Sequence, residues 1–301
     1  MLTMNYELAL HLSRSVFATG KRLSGVVVFR LARPISIRSL TVSVLGKEMP
    51  SGFSLTRGRL FFDREVLLSG MQRPRLTSER LSLFWNTFLG RESGRTLSAG
   101  EHIYPFSIPL PASLPPSYEG KAGRIAYTVT ACVQFPLVGS IKTSKDVSVA
   151  FVPRLHRSRP VALSYPTEGG AVHAGEVSVN LELPRRTVEI GKSITGKFTI
   201  NNPKRAVIAR TIVSLENCEW VRLKSGGELQ RSCVDSHEIQ PVNTNAESIE
   251  GEFSLTVPPG AVPSVEGTAI SVIWLLKLYI DTSPPLELKT PITVYAPVPK
   301  D

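Results

Sequence analysis

"FSIPLPASLPPSYEG", Phe106 to Gly120, aligns without a gap on "FSLTVPPGAVPSVEG", Phe253 to Gly267, and seven of the fifteen positions are identical. Repetition inside a chain decides its architecture before any motif does, because each repeat marks one folding unit. Both copies run directly into strand-like stretches, "RIAYTVTACVQF" (Arg124 to Phe135) and "TAISVIWLLKLYI" (Thr268 to Ile280). These are rich in the β-branched and aromatic residues that suit a pleated surface. The first copy contains Pro-Pro-x-Tyr, the spelling that WW modules read in exposed polyproline segments. In the second copy Val265 replaces the tyrosine and Val262 the first proline, while Pro, Ser, Glu and Gly persist. What repeats is therefore a bend between two strands, with Pro fixing φ and Gly permitting unusual backbone, rather than a docking peptide.

A second pair lies upstream. "FATGKRLSGVVVF" (Phe17 to Phe29) matches "VEIGKSITGKFTI" (Val188 to Ile200), keeping Gly-Lys-x-aliphatic-hydroxyl-Gly. The upstream pair is offset by 171 residues and the downstream pair by 147, so the first copy carries 24 extra residues, placed within Leu68 to Gly94. Inside that insertion "TSERLSLFWNTFLG" spaces Leu81, Phe84, Trp85 and Phe88 as on one helical face, the single helix expected. Its apolar stripe reads as packing on its own sheet, with a membrane or partner face as the alternative.

The remaining convincing segments alternate as strands: Tyr6 to Leu12, Arg22 to Phe29, Ile35 to Leu45, Arg59 to Leu68, Ile103 to Ile108 and Val147 to Phe151 in the first half. Val177 to Leu183, Ile194 to Ile200, Ala206 to Leu215, Ile249 to Val257 and Leu286 to Tyr295 follow in the second. Short strands separated by Gly/Pro turns predict an all-β chain of two tandem antiparallel β-sandwich domains, with at most one short helix in the first. The expected division is 1–155, a linker at 156–170 where prolines, glycines and basic residues interrupt the pattern, and 171–301.

The chain has 301 residues and a net charge of +10. Residues 1–160 hold 22 Lys and Arg against 9 Asp and Glu, whereas residues 161–301 hold 13 against 16. Charge gathered in one half suits an acidic partner there, with a solubilising surface as the plainer reading. Phosphoprotein and anionic lipid present the same charge and stay open. No apolar run reaches a membrane-spanning length, the N-terminus alternates instead of forming a signal-peptide core, and Cys132, Cys218 and Cys233 are few and scattered. These features point to a cytosolic setting.

Catalytic patterns are missing. "IGKSITG" resembles the tail of a phosphate-binding loop, but position 186 is Arg where that loop needs glycine. There is no Gly-x-Ser-x-Gly elbow, His-Glu-x-x-His or Cys-x-x-Cys, so neither an enzyme nor a metal or cofactor site is expected. The arginines are not interleaved with aromatics as in a nucleic-acid stacking platform.

The run "LSAGEHIYPFSIPLPASLPPSYEGKAGRIAYTVTACV" (Leu97 to Val133) resembles the N-domain of arrestins, alpha-arrestins in particular. "VSVNLELPRRTVEIGKSITGKFTINNPKRAVIARTIVSLEN" (Val177 to Asn217) is similar to the start of the arrestin C-domain. The resemblance implies two β-sandwiches and a non-enzymatic adaptor that binds cytoplasmic tails or loops of membrane proteins for endocytosis, sorting or signalling. It implies a location in the cytoplasm, peripheral to the plasma membrane or endosomes, and partners that are acidic or phosphorylated tails or an anionic lipid surface. Arg14, Lys21 and Arg22, near the first turn, are the expected cargo or phosphate contacts. The first strand, "YELALHL", lacks the lysine pair of visual and beta-arrestins, and "VYAPVPKD" closes the sequence without the Pro-Pro-x-Tyr tail through which alpha-arrestins recruit ubiquitin ligases. Phosphate-triggered activation is thus not assumed, and ligase recruitment stays open. Tandem immunoglobulin-like assembly modules and a retromer-type coat subunit are the alternatives.

Overall fold

The computed structural model describes residues 6–51, 58–70, 95–136, 139–153, 161–165, 177–223, 226–239, 246–283 and 285–298. Every regular element among them is a strand. The expected helix within 77–90 lies outside the described residues. Two compact units result. The first comprises Met1–Lys47, Gly58–Ser117 and Ile125–Val149; the second comprises Ala150–Asp301 with two earlier segments, Glu48–Arg57 and Tyr118–Arg124.

The first half of the chain supplies β1 (Tyr6–Leu12), β2 (Val16–Ala18), β3 (Arg22–Leu31), β4 (Ile35–Ile37), β5 (Ser39–Pro50), β6 (Arg59–Gly70), β7 (Arg95–Leu97), β8 (Gly100–Pro109), β9 (Tyr118–Gly120), β10 (Gly123–Gln134) and β11 (Ser140–Ala150). One sheet runs β1-β3-β8, the other β2-β11-β10-β5-β6 with β9 paired to β10, and β4 pairs β7 as a ribbon. Period-two alternation puts Leu10, Leu23, Val27, Phe29 and Ile108 on the inner face of one sheet and Val42, Val44, Ile125, Tyr127 and Val129 on that of the other, all buried. Each such side chain gains about 1.5–3 kcal/mol from leaving water.

The second half supplies β12 (Val161–Tyr165), β13 (Ser178–Leu183), β14 (Thr187–Glu189), β15 (Ser193–Asn201), β16 (Thr211–Leu223), β17 (Gly226–Ile239), β18 (Ser248–Thr256), β19 (Val265–Glu266), β20 (Ile270–Ile280) and β21 (Leu286–Tyr295). The sheets are β12-β13-β15-β18 and β14-β21-β20-β16-β17, with β19 on β20. Apart from β12, and the β4-β7 ribbon of the first half, this is the first half's strand order over again.

Five strand expectations need correction. Ile35 to Leu45, expected as one strand, is β4 and the start of β5, which lie in different sheets. β12 lies within residues 156–170, the expected linker, and pairs antiparallel with β13. β11 starts at Ser140, seven residues before the expected Val147, because its polar first half has partners across the ladder: Thr130 and Ser144 join through their hydroxyls and Thr128 donates to Asp146. β16 begins at Thr211, not Ala206. The fully buried Asn202 closes the preceding loop, its amide oxygen accepting from Ala206 N–H and its Nδ2 donating to Ala206 C=O, both at 2.8 Å. β17 had no apolar alternation to announce it and forms as the antiparallel partner of β16.

The repeated motifs explain the repeated structure. Gly20 and Gly191 adopt φ of 74° and 82° in the turns that open β3 and β15, a region glycine enters without a Cβ clash. Gly25 faces Phe106 across β3-β8, and Gly196 faces Phe253 across β15-β18. A Cβ on Gly25 would sit 2.8 Å from the Phe106 ring and 2.4 Å from His11 C=O; on Gly196, 2.6 Å from the Phe253 ring and 2.7 Å from Glu182 C=O. Each phenylalanine thus lies over a missing side chain on its neighbour.

The bend is held identically in both copies. Tyr127 donates to Pro115 C=O at 2.5 Å, and Trp274, at the matching position, donates its Nε1–H to Val262 C=O at 3.1 Å. Ser117 N–H donates to Val149 C=O and Ser117 Oγ accepts from Val149 N–H; Ser264 makes the same two bonds with Val294.

The second unit contains a pair of buried carboxylates. Glu48, 1% exposed, accepts from the N–H groups of Thr268 (3.2 Å), Ala269 (2.9 Å) and Ile270 (2.6 Å) and from the Thr268 hydroxyl. Glu219, 8% exposed, accepts from Lys121 N–H at 2.7 Å, Ala122 N–H at 3.2 Å and the Tyr118 hydroxyl. Hydrogen bonds from several N–H groups compensate the burial of a carboxylate. Glu48 and Glu219 stand 171 apart and the turns they cap 147 apart, the two offsets of the repeat. Gly120 and Gly267 follow from this, since a Cβ there would meet Glu219 at 2.7 Å or Glu48 at 2.3 Å.

Gly196→Ala is expected to lower stability by about 1–3 kcal/mol through overpacking against Phe253, read as a lower urea midpoint. Gly260→Ala, with open space around its Cβ, is expected to stay within about 0.5 kcal/mol of the parent.

Candidate functional site

Pairing of β1, β3 and β8 gathers the expected contact residues at one end of a sheet. Ser13 N–H donates to Ser24 C=O at 3.1 Å, so Arg14 lies one residue past a backbone link to the strand that begins at Arg22. The Ser13 hydroxyl adds a bond to Ser24 C=O at 3.0 Å and meets the Ser24 hydroxyl at 2.9 Å. Lys21 sits in the turn after Gly20, its N–H donating to Ala18 C=O and its C=O accepting from Leu110 N–H at 2.9 Å. That bond ties the turn to the start of the repeated bend. Arg22 is exposed and donates Nε–H to Ser107 Oγ at 2.6 Å and Nη2–H to Ser107 C=O at 2.9 Å, which orients the guanidinium and leaves its other N–H donors for a ligand. Arg14 and Lys21 are also exposed.

The opposite end of the same three strands carries the reverse charge. Arg30 donates Nε–H to Glu101 at 2.6 Å and Nη1–H to Glu7 at 3.2 Å. Two carboxylates on one guanidinium leave that end net negative, and they hold the Arg30 pKa above its ordinary value, the Glu101 hydrogen bond being the largest cause. Beside them lies an open depression of about 420 Å³ lined by Tyr6, Glu7, Arg30, Gly100 and Glu101. Nothing local in the sequence marks Ser107 or Glu101 as neighbours of β3, because pairing across 85 and 71 residues brings them there, while Glu7 comes from β1, 23 residues before Arg30.

Tyr118 of the Pro-Pro-x-Tyr stretch is 3% exposed, and its hydroxyl donates to Glu219 while accepting from Ala122 N–H at 3.1 Å. Burial, reinforced by the Glu219 carboxylate, pushes the hydroxyl's pKa well up, so it stays a protonated donor. Among the described residues no group of three His, Cys, Asp or Glu could hold a metal ion. A WW module is expected to bind a free peptide spanning Leu110 to Gly120 and to give no signal with the folded chain by titration calorimetry. Equal binding to both would show that the motif is open.

Two family models match in tandem: "Arrestin (or S-antigen), N-terminal domain" over residues 7–153 and "Arrestin (or S-antigen), C-terminal domain" over residues 173–299. Among curated proteins, "Arrestin domain-containing protein 1" of Homo sapiens is 30% identical over 147 residues, 49% of this chain. That match covers 28% of the human protein's length. "HECT-type ubiquitin ligase-interacting protein apyA" of Emericella nidulans is 25% identical over 296 residues, covering 91% of this chain and 77% of the relative. "Arrestin domain-containing protein B" of Dictyostelium discoideum is 19% identical over 295 residues, covering 95% and 45%.

Proposed function

Because the chain belongs to the arrestin family, with the family's N- and C-terminal domains in tandem, we propose that it is a non-enzymatic adaptor that binds acidic or phosphorylated cytoplasmic tails of membrane proteins. The contact is the basic end of the β1-β3-β8 sheet, and the observation that carries it is the gathering of Arg14, Lys21 and Arg22 there, with Arg22 oriented by Ser107. A planar guanidinium held by its neighbour loses little freedom on meeting a carboxylate or phosphate. The charge excess of the first half adds a long-range pull on such tails. In this reading the protein works in the cytoplasm, peripheral to the plasma membrane or endosomes, and passes its cargo to sorting or endocytic machinery.

One relative is named for its interaction with a HECT-type ubiquitin ligase, which supports ligase machinery as a downstream partner. The buried Tyr118 supports a different attachment point for it than the Pro115 to Tyr118 motif.

Joint reversal of Arg14, Lys21 and Arg22 to Glu is expected to weaken binding of acidic or phosphorylated tail peptides by at least about tenfold, since each charge-assisted contact is worth roughly 1.5–3 kcal/mol. Parent affinity should fall steeply between low and physiological salt. Unchanged affinity in the triple variant, measured by fluorescence anisotropy, would exclude this site.

A further inference from the structure

The outward face of the β1-β3-β8 sheet is set by register. Ala9 pairs Val28 and His11 pairs Val26 across β1-β3; Val28 pairs Ile103 and Val26 pairs Pro105 across β3-β8. The inner core takes the alternate residues, so Ala9, Val26, Val28, Ile103 and Pro105 form one apolar strip on the outside, with the exposed His11 at its β1 edge opposite Val26. Ile103 is 59% exposed, Pro105 is exposed, and Ala9, Val26 and Val28 are half-buried. The strip runs between Arg22 at the basic end and the Glu7–Arg30–Glu101 cluster at the other.

The duplication supplies an internal control. In the β13-β15-β18 sheet the matching positions are Asn180, Lys197, Thr199, Glu250 and Glu252, with Glu182 opposite Lys197. Lys197 and Glu252 form an ion pair at 2.5 Å where the first unit has Val26 against Pro105. The same sheet face is therefore built from charged and polar side chains in one copy and, apart from His11, from apolar ones in the other. Folding needs no apolar residue at these places, and exposing them costs the free chain about 25 cal/mol for each Å² left in water.

We infer that this strip is a docking face for an extended partner segment with apolar residues at its centre, carboxylates or phosphates at the end over Arg22, and a cationic residue at the end over Glu7 and Glu101. Charge complementarity sets that occupant: the basic group of Arg14, Lys21 and Arg22 at one end, a net negative cluster beside an open depression at the other, and a largely apolar stretch between. Arg22 and Arg30 are eight residues apart on β3, about 27 Å at strand rise, so an extended segment of roughly eight or nine residues spans both ends. The inference rests on the tail-binding reading above and adds to it the chemistry of the bound segment.

The probe is a fluorescent eleven-residue peptide with three aspartates, a central Leu-Val-Leu-Val-Leu and three lysines, titrated into the full chain by anisotropy. Controls replace the centre by serines or put aspartates at both ends. The test variant carries Val26→Lys with Pro105→Glu, the pair the second unit already uses, and its stability is checked by urea unfolding. At wild-type stability it is expected to bind the probe at least tenfold more weakly, and the serine-centred peptide is expected to bind the parent equally weakly. Glu101→Lys is expected to move preference toward the peptide with aspartates at both ends. Equal binding of leucine- and serine-centred peptides, or no effect of the double variant, overturns the inference; if Arg22→Glu still matters in that case, tail binding at the basic end survives. Loss of all acidic-peptide binding in the parent fails the tail-binding reading itself. Ile103-dependent binding to phosphatidylserine vesicles in place of the peptide, or concentration-dependent self-association abolished by Ile103→Glu, would also overturn it by assigning the face to a membrane or a second copy.

Discussion

A ring donor reaching back twelve residues to a backbone carbonyl governs the course of each half of this chain. Tyr127 bonds Pro115 and Trp274 bonds Val262, and the serine two residues past each acceptor makes one backbone bond and one side-chain bond with the closing strand. A proline-rich bend has few backbone N–H groups with which to hold itself, so its carbonyls need donors from elsewhere. Once the bend is pinned, the strand before it and the strand after it enter different sheets of the sandwich. The phenylalanine that opens the bend then lies over a glycine of the neighbouring strand in both copies.

The same constraint positions the candidate site. Leu110, at the start of the bend, donates to Lys21 C=O, and β8, which leads into it, carries Ser107 to Arg22 and Glu101 to Arg30. The basic end, the acidic end and the apolar strip between them are consequences of one strand's register. A slip of one residue in β8 would send Ile103 and Pro105 into the core and Phe106 to solvent.

Two halves of common origin need not keep the same surface. Their inner faces agree position by position, because both must exclude water from a sandwich about 10 Å thick. Their outer faces diverge: Val26, Val28 and Ile103 in one, Lys197, Thr199 and Glu250 in the other. Divergence on a face that folding leaves unconstrained is where a binding property is free to appear. The buried carboxylates behave oppositely, Glu48 and Glu219 being retained at matching places because the N–H groups of a turn need an acceptor in both.

Much was legible from the chain alone. Period-two alternation announced β1, β3, β10 and β21, and the aligned bends announced two sandwiches, because burial of one strand face and the backbone limits of Pro and Gly are local properties. β17 and the first half of β11 are polar strands, selected by a partner's free backbone groups rather than by their own side chains, whereas β12 is a five-residue run between Pro160 and Pro166 that only pairing with β13 makes a strand. Arg14, Lys21 and Arg22 could be singled out by charge near a turn, but Ser107, Glu7, Glu101 and the apolar strip could not. Register between strands up to 85 residues apart is fixed by how two faces pack at once, so which residues stand side by side on the outer surface was decided only by the tertiary structure.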